Sequence, residues 1–309
     1  MDKACKVAIV QARPVYYNLP ESMKKALEWT KKAAKEGARL VVFGETWLPG
    51  YPAWLDHCRD VAYWDHPSVK KVFATLRENS VVVGGSHTRQ LAEAAGDLKI
   101  NLVIGINERV DEAPGNRTLY NSILFFGEDG KLTNHHRKLM PTYTERLVWG
   151  QGDGRGLHAV NTSVGRVGGL ICWEHWMPLA RQALHNSGEH IHLALWPTVN
   201  RMHQIASIHY AFEGRCFVLA AGSLMPARDL PAELEWKPEL KKKPDTLLLR
   251  GGSTVIGPNG RYVVGPVFDE EKIIIAELDL TQIDREALTL DVSGHYSRPD
   301  VFEFGVKEK

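Results

Sequence analysis

The chain has 309 residues, 44% of them hydrophobic and 24% charged, which is enough material for a large buried core. The formal net charge is +1, so no field is built for nucleic acid or an anionic membrane surface. The four cysteines, Cys5, Cys58, Cys172 and Cys216, form no Cys-x-x-Cys pair and read as reduced thiols of a cytoplasmic protein, and Val7 to Val10 is strand-sized, too short for a signal peptide or a membrane helix.

Lys6 to Val10 is predicted as the first strand. Asn18 caps a helix, with Glu21 at capping-box spacing and Met23, Ala26, Leu27, Thr30, Ala33 and Ala34 on one face. Gly37 ends that helix, and Leu40 to Phe43 is a buried strand. Ser68 is expected to cap a helix running through Asn79, followed by a strand from Val81 to Gly84. Ile100 to Ile106, Asn121 to Phe126, Arg166 to Ile171 and His190 to Trp196 read as strands. A helix is predicted from Pro178 to Asn186, with proline in its first turn and Gly188 past its end. Another follows from about Met202 to Arg215, where His209 shares a register with Met202, Ile205 and Phe212 and reads as a core histidine. Strands are expected at Phe217 to Ala221, Ser253 to Ile256, Tyr262 to Val264 and Ile273 to Leu278, before a short helix capped by Thr281. Met225 to Arg250, with four prolines and the basic run Lys241 to Lys243, reads as a surface excursion, either a solvated loop or a pocket lid or subunit contact. The alternation defines an α/β class with helices on both sheet faces. It does not separate one sheet from two.

Three strand ends carry reactive side chains. Glu45 follows the strand that ends at Gly44, in a loop rich in proline, glycine and aromatics. Ringed by Trp47, Tyr51 and Trp54, its carboxyl is poorly solvated and its pKa rises toward that of a general base. Lys138 follows His135, His136 and Arg137, downstream of the turn Glu128 to Lys131. Cys172 stands between the strand ending at Ile171 and the next helix, where backbone N–H groups favour a thiolate and can hold a developing negative charge. Taken singly, a buried thiol is a small hydrophobe and a lone Glu or Lys is a surface charge. Their coincidence at three strand ends points to a covalent hydrolase.

These runs resemble the motifs of a known family. Gly44-Glu45-Thr46-Trp47-Leu48-Pro49-Gly50-Tyr51-Pro52, His136-Arg137-Lys138-Leu139-Met140-Pro141-Thr142 and Cys172-Trp173-Glu174-His175 resemble the glutamate, lysine and cysteine motifs of the nitrilase superfamily of carbon–nitrogen hydrolases, most nearly its nitrilase branch. Glu145-Arg146, Val148 to Gly154 and Gly294 to Phe302 extend the resemblance over nearly the whole chain. It implies a single carbon–nitrogen hydrolase domain over residues 1–309, folded as a four-layer α-β-β-α sandwich. It also implies that Cys172 is the nucleophile, Glu45 the general base and Lys138 the charge stabiliser, with Glu145 placing substrate and water. The expected reaction takes a small-molecule nitrile to a carboxylic acid and ammonia. An amidase or carbamoylase, or a cyanide hydratase, would use the same triad, and a silent scaffold would have no need to retain it.

Glu174 reads as a carboxylate complementing a helix N-terminus. Trp47, Tyr51, Trp54, Trp173 and Trp196 are candidate walls of an apolar substrate pocket. The resemblance implies dimers that stack into larger spirals, with Asp56 to Pro67 and Met225 to Arg250 as candidate contacts. No zinc-ligand spacing, His-Glu-x-x-His, Gly-x-Gly-x-x-Gly, Walker lysine or Gly-x-Ser-x-Gly elbow is present, so neither a metal nor an organic cofactor is expected.

Overall fold

A computed structural model describes residues 4–307. In its first half, β1 (Ala4–Gln11), α1 (Leu19–Lys35), β2 (Leu40–Phe43), the single turn α2 (Trp54–His57), α3 (Pro67–Glu78), α4 (Ser86–Leu98), β3 (Asn101–Arg109), β4 (Leu119–Phe126) and β5 (Leu132–Arg137) follow one another. The second half runs through β6 (Val160–Thr162), β7 (Gly165–Ile171), α5 (Pro178–Asn186), β8 (Ile191–Leu195), α6 (Arg201–Gly214), β9 (Phe217–Ala221) and β10 (Leu224–Pro226). It ends with α7 (Pro238–Lys242), β11 (Leu247–Ile256), β12 (Tyr262–Phe268), β13 (Lys272–Asp279) and α8 (Thr281–Ala287).

Two sheets result. One has the order β13-β1-β2-β3-β4-β5; the other runs β10-β11-β9-β8-β7-β6, with β12 beside β11. The centre of each is parallel: β1, β2 and β3 in the first, β7, β8 and β9 in the second. Side-chain alternation stacks them. Val7, Ile9, Val42 and Val103 pack toward Val167, Leu193 and Leu219 of the second sheet. Their neighbours Ala8, Val10, Val41 and Leu102 pack under Met23, Ala26 and Leu91 of α1 and α4. Helices α5 and α6 cover the far side of the second sheet through Ala180, Ala183, Ala206 and Tyr210. This is the four-layer α-β-β-α sandwich. No helix among the described residues is long and apolar enough to cross a membrane.

Several local expectations are corrected. Val81 to Gly84 is no strand: Val81 makes one bridge to Glu108, and the chain turns directly into α4, whose polar composition concealed it. Ser68 lies inside α3, with His66 at the cap position. Thr281 is the first residue of α8, and Asp279 Oδ1 accepts from both its N–H and its hydroxyl. Met202, Ile205, His209 and Phe212 face outward, because α6 lays its small side, Ala206, Ser207 and Ala211, against the sheet. Met225 to Arg250 is not a solvated loop. Met225, Leu230, Leu234, Leu240 and Leu249 bury themselves against Tyr51, Trp54 and Leu55 in a third apolar cluster.

Candidate active site

The carboxyl ends of β2, β7 and β8 converge where the two sheets meet, the place where parallel sheets leave a crevice. Glu45 N–H donates across the sheets to Trp196 O at 3.3 Å. Two glycines allow this: a Cβ on Gly44 would stand 2.8 Å from Ser223 Oγ, between β9 and β10 of the second sheet, and one on Gly105 of β3 would stand 2.4 Å from Gly44 O. Lys138 is held by its backbone, with N–H donating to Asn121 O and C=O accepting from Gly152, both at 2.8 Å. Cys172 begins a 3-10 turn, Cys172–Trp176, and Glu145 lies in another, Tyr143–Leu147. Thr46, Tyr143 and Cys172 take positive φ angles of 42°, 42° and 52°. Each site segment therefore holds one non-glycine residue in the left-handed region, a local cost the surrounding fold must sustain.

Glu45, Lys138, Glu145 and Cys172 come together as buried neighbours. Lys138 Nζ donates to Glu45 Oε1 at 3.1 Å and Glu145 Oε2 at 2.7 Å. Asn121 Nδ2 donates to Glu45 Oε1 at 2.6 Å. Glu145 also accepts from the Tyr51 hydroxyl at 2.9 Å and from Thr142 N–H at 2.7 Å. A carboxylate oxygen of Glu45, one of Glu145 and the Cys172 sulfur lie within 4.8 Å of one another. Such a group could in principle ligate a cation, but the Lys138 ammonium already bridges the two carboxylates. Glu45 Oε2 is buried with no hydrogen-bond partner among the described residues.

Burial pushes the Glu45 carboxyl up to about 7; Lys138 opposes the rise, Glu145 adds to it and the Asn121 hydrogen bond opposes it. Burial alone would favour neutral Lys138, but the negative charge available on Cys172, Glu45 and Glu145 lifts its pKa above the ordinary value. Burial, reinforced by Glu45, holds the Cys172 thiol well above its usual range, while Lys138 and the Trp173 N–H pull the other way. Burial thus favours the thiol form. The sequence-based expectation that the turn favours thiolate is outweighed by desolvation.

The cluster opens on a cavity of about 320 Å³. Of the five aromatics named from sequence, Tyr51 and Trp173 line it. Trp47 does not: it packs on Phe43, and its indole N–H donates to Ala12 O. Trp54 belongs to the third apolar cluster, and Trp196 lies behind Cys172, stacked on His175. The rest of the lining includes His57, Tyr143, Thr198, His203, Leu248 and Leu249. Thr198 follows the end of β8 and carried a strand-end signal. Leu248 and Leu249 arrive from the distant segment Met225 to Arg250, for which a pocket lid is one reading, but nothing in the sequence singles them out within it. Glu174 turns out to be a brace between motifs, accepting from His136 Nε2 and from the N–H groups of Leu139 and Ile171. Burial raises its pKa, but those partners pull it below the ordinary value. A larger hollow of about 590 Å³ beside Glu108, Arg137 and Arg155 is lined by no cysteine, serine, threonine or lysine among the described residues.

A buried thiol, a carboxylate with an open oxygen and a fixed ammonium meet on a four-layer sandwich, a set of groups suited to hydrolysis. The carbon–nitrogen hydrolase family model matches residues 6–286, and the chain belongs to that family. It is 39% identical to an aliphatic nitrilase of Sinorhizobium fredii (strain HH103), over 98% of this chain and 96% of the relative. It is 37% identical to nitrilase 2 of Arabidopsis thaliana, over 98% and 88%. The crystal structure of a carbon–nitrogen hydrolase from Helicobacter pylori G27 shares the fold, with a TM-score of 0.69 at 18% identity over 96% of each chain. The protein is therefore an enzyme that hydrolyses carbon–nitrogen bonds.

Proposed function

We propose that this enzyme is a nitrilase, acting as one domain in the cytoplasm on a small-molecule nitrile. The observation that carries the mechanism is the unpartnered Glu45 Oε2 in a cluster shared with the Cys172 sulfur. Glu45 takes the thiol proton as sulfur attacks the nitrile carbon. Negative charge builds on nitrogen, stabilised by Lys138 and the Trp173 N–H, and proton delivery gives a thioimidate. Water adds with Glu45 as base, the tetrahedral species expels ammonia, and a thioester remains. A second water releases the carboxylic acid and restores the thiol. Glu145, held by Tyr51, Lys138 and Thr142, places substrate and water. The relatives named nitrilase support the choice of a nitrile.

The test is mass spectrometry of the protein quenched during turnover of aliphatic, aryl and arylacetonitriles, with ammonia and amide measured in parallel. A thioimidate or thioester mass on Cys172 with release of acid is expected. Amide as the sole product identifies a hydratase, and turnover of amides alone an amidase.

We further propose self-association. Trp64 is 97% exposed within the segment Asp56 to Pro67, and Leu179, Met202, Ile205 and Phe212 expose an apolar face on α5 and α6. The apolar side chains of Met225 to Arg250 point inward, which leaves that segment the weaker contact. A monomeric mass by light scattering at micromolar concentration contradicts assembly.

A further inference from the structure

Behind the Cys172 turn lies a buried chain of polar groups that the reaction above does not use. His175 Nδ1 is 2.7 Å from Cys172 O, and His175 Nε2 is 3.0 Å from His192 Nε2. His192 Nδ1 is 2.9 Å from Glu189 Oε2. The chain begins at a carbonyl oxygen and ends at a carboxylate, and both only accept. Each of these three contacts needs a proton between its atoms, whereas two neutral imidazoles carry only two. Burial raises the Glu189 pKa, but His192 and His185 pull it down to about 2, which favours the carboxylate; with Glu189 ionised and both rings neutral, one contact would set lone pair against lone pair inside a dry core, a heavy cost.

We propose that His175 and His192 share a third N–H proton as a buried imidazole–imidazolium pair balanced by Glu189, and that His175 is a positioning residue which polarises the Cys172–Trp173 peptide group. The second half rests on Cys172 being the nucleophile. A donor on the Cys172 carbonyl strengthens the N–H at the other end of the same peptide group. That N–H belongs to Trp173, which favours the anionic form of the Cys172 sulfur. The pair sits between aromatic faces that suit a cation: Trp196 stacks on His175 at 4.6 Å and Tyr210 on His192 at 3.6 Å between ring centroids. The Tyr210 hydroxyl donates to the other Glu189 oxygen, which favours the carboxylate.

Charged and titratable neighbours face the pair from every side. Arg181 of α5 donates to His175 O and pairs with Glu213 of α6. His185 of α5 lies 3.5 Å from Glu189 and 3.3 Å from Glu213, and is the rival home for the proton. His203 of α6 and Glu174 of the cysteine turn also act on the two rings. Burial pushes both rings toward neutrality. The proton count and the facing carboxylate oppose that push.

The test begins with the full chain labelled with ¹⁵N-histidine. Long-range ¹H–¹⁵N correlation spectra, assigned with His192→Asn, should show three of the four ring nitrogens of His175 and His192 protonated from about pH 6 to 8. Two neutral rings, whether the third proton sits on His185 or on Glu189, overturn the proposal. In the second arm, His175→Leu removes the donor to Cys172 O and His175→Gln restores a neutral one. His175→Leu should lower kcat and the rate of Cys172 alkylation by iodoacetamide about tenfold or more with KM little changed, and His175→Gln should recover part of both. Equal rates in the two variants overturn the positioning role. If His175→Leu does not fold, Glu189→Gln decides: it should move the alkaline limb of the alkylation rate to lower pH, and an unmoved limb overturns the role. Alkylation needs no nitrile. A protein that shows the three-proton pair and donor-dependent alkylation but hydrolyses no nitrile defeats the proposed activity and leaves the pair standing.

Discussion

Arg137 and Lys138 are adjacent, yet they serve two buried carboxylates in opposite ways. Strand alternation sends them to different sides at the end of β5. Arg137 turns to Glu108, which also accepts from Ser122 Oγ at 2.6 Å and His135 Nε2 at 2.7 Å. Burial raises the Glu108 pKa, but these partners overwhelm it and hold the group at about 2. Lys138 turns to Glu45, where two donors share one oxygen, the other has no partner, and burial carries the group to about 7. A cation beside a buried carboxylate does not by itself set its acidity: burial raises both groups, and the donors on Glu108 outweigh it, while the fewer donors on Glu45, beside the like charge of Glu145, do not. Glu108 is saturated and structural. Glu45 is left one acceptor short of saturation, and that acceptor is what a proton transfer needs.

Variants of the two clusters should separate accordingly. Cys172→Ala keeps the apolar fit and loses only sulfur, so nitrile turnover should fall by at least about 10⁴-fold while the melting temperature holds. The same change at Cys5, Cys58 or Cys216 should cost far less activity. Near-wild-type turnover by Cys172→Ala ends the covalent mechanism. Glu45→Gln should lower kcat by about 10³-fold, since both thiol activation and thioester hydrolysis lose their base. The proposed base is the Glu45 carboxylate, so kcat/KM should rise with pH through about 7 and be lost below it. A pH–rate profile with its acid limb near the ordinary glutamate value would contradict the shift.

Lys138→Met keeps the length and removes the charge. It should slow the steps that load charge on nitrogen or oxygen by about 3 kcal/mol, measured as kcat in single turnover. Glu145→Gln should keep measurable iodoacetamide labelling of Cys172 and lose most hydrolysis. A wild-type rate with an unchanged acid-to-amide ratio makes Glu145 structural. Glu108→Gln should affect activity least and stability instead. The Glu108 pKa is depressed from 4.5 to about 2, so its contribution of about 3 kcal/mol is present above the unfolded value and lost as pH falls through the folded one. Denaturant titrations of the two proteins should therefore differ at pH 7 and converge near pH 2.

Much was legible in the sequence because it rests on local chemistry. Pro178 and Gly188 bracket α5, strand runs end at Gly44 and Ile171, and Glu45 and Cys172 stand at those ends, all within a few residues of backbone. The resemblance supplied the stacking of the sheets, which period-two alternation in β1 and β2 permits but does not require. Only the tertiary structure decided which side chains meet water. Trp47, Trp54 and Trp196 share their composition with Trp173, yet packing buries the first three and leaves Trp173 at the cavity mouth. α6 shows the same limit in reverse, since the sheet accepts its alanines and Tyr210 and leaves Met202, Ile205 and Phe212 outside. Met225 to Arg250 has the composition of a loop and packs because Tyr51 and Trp54 offer it an apolar surface from far away in the chain. Periodicity reports that a face is distinct. What covers that face depends on partners distant in sequence.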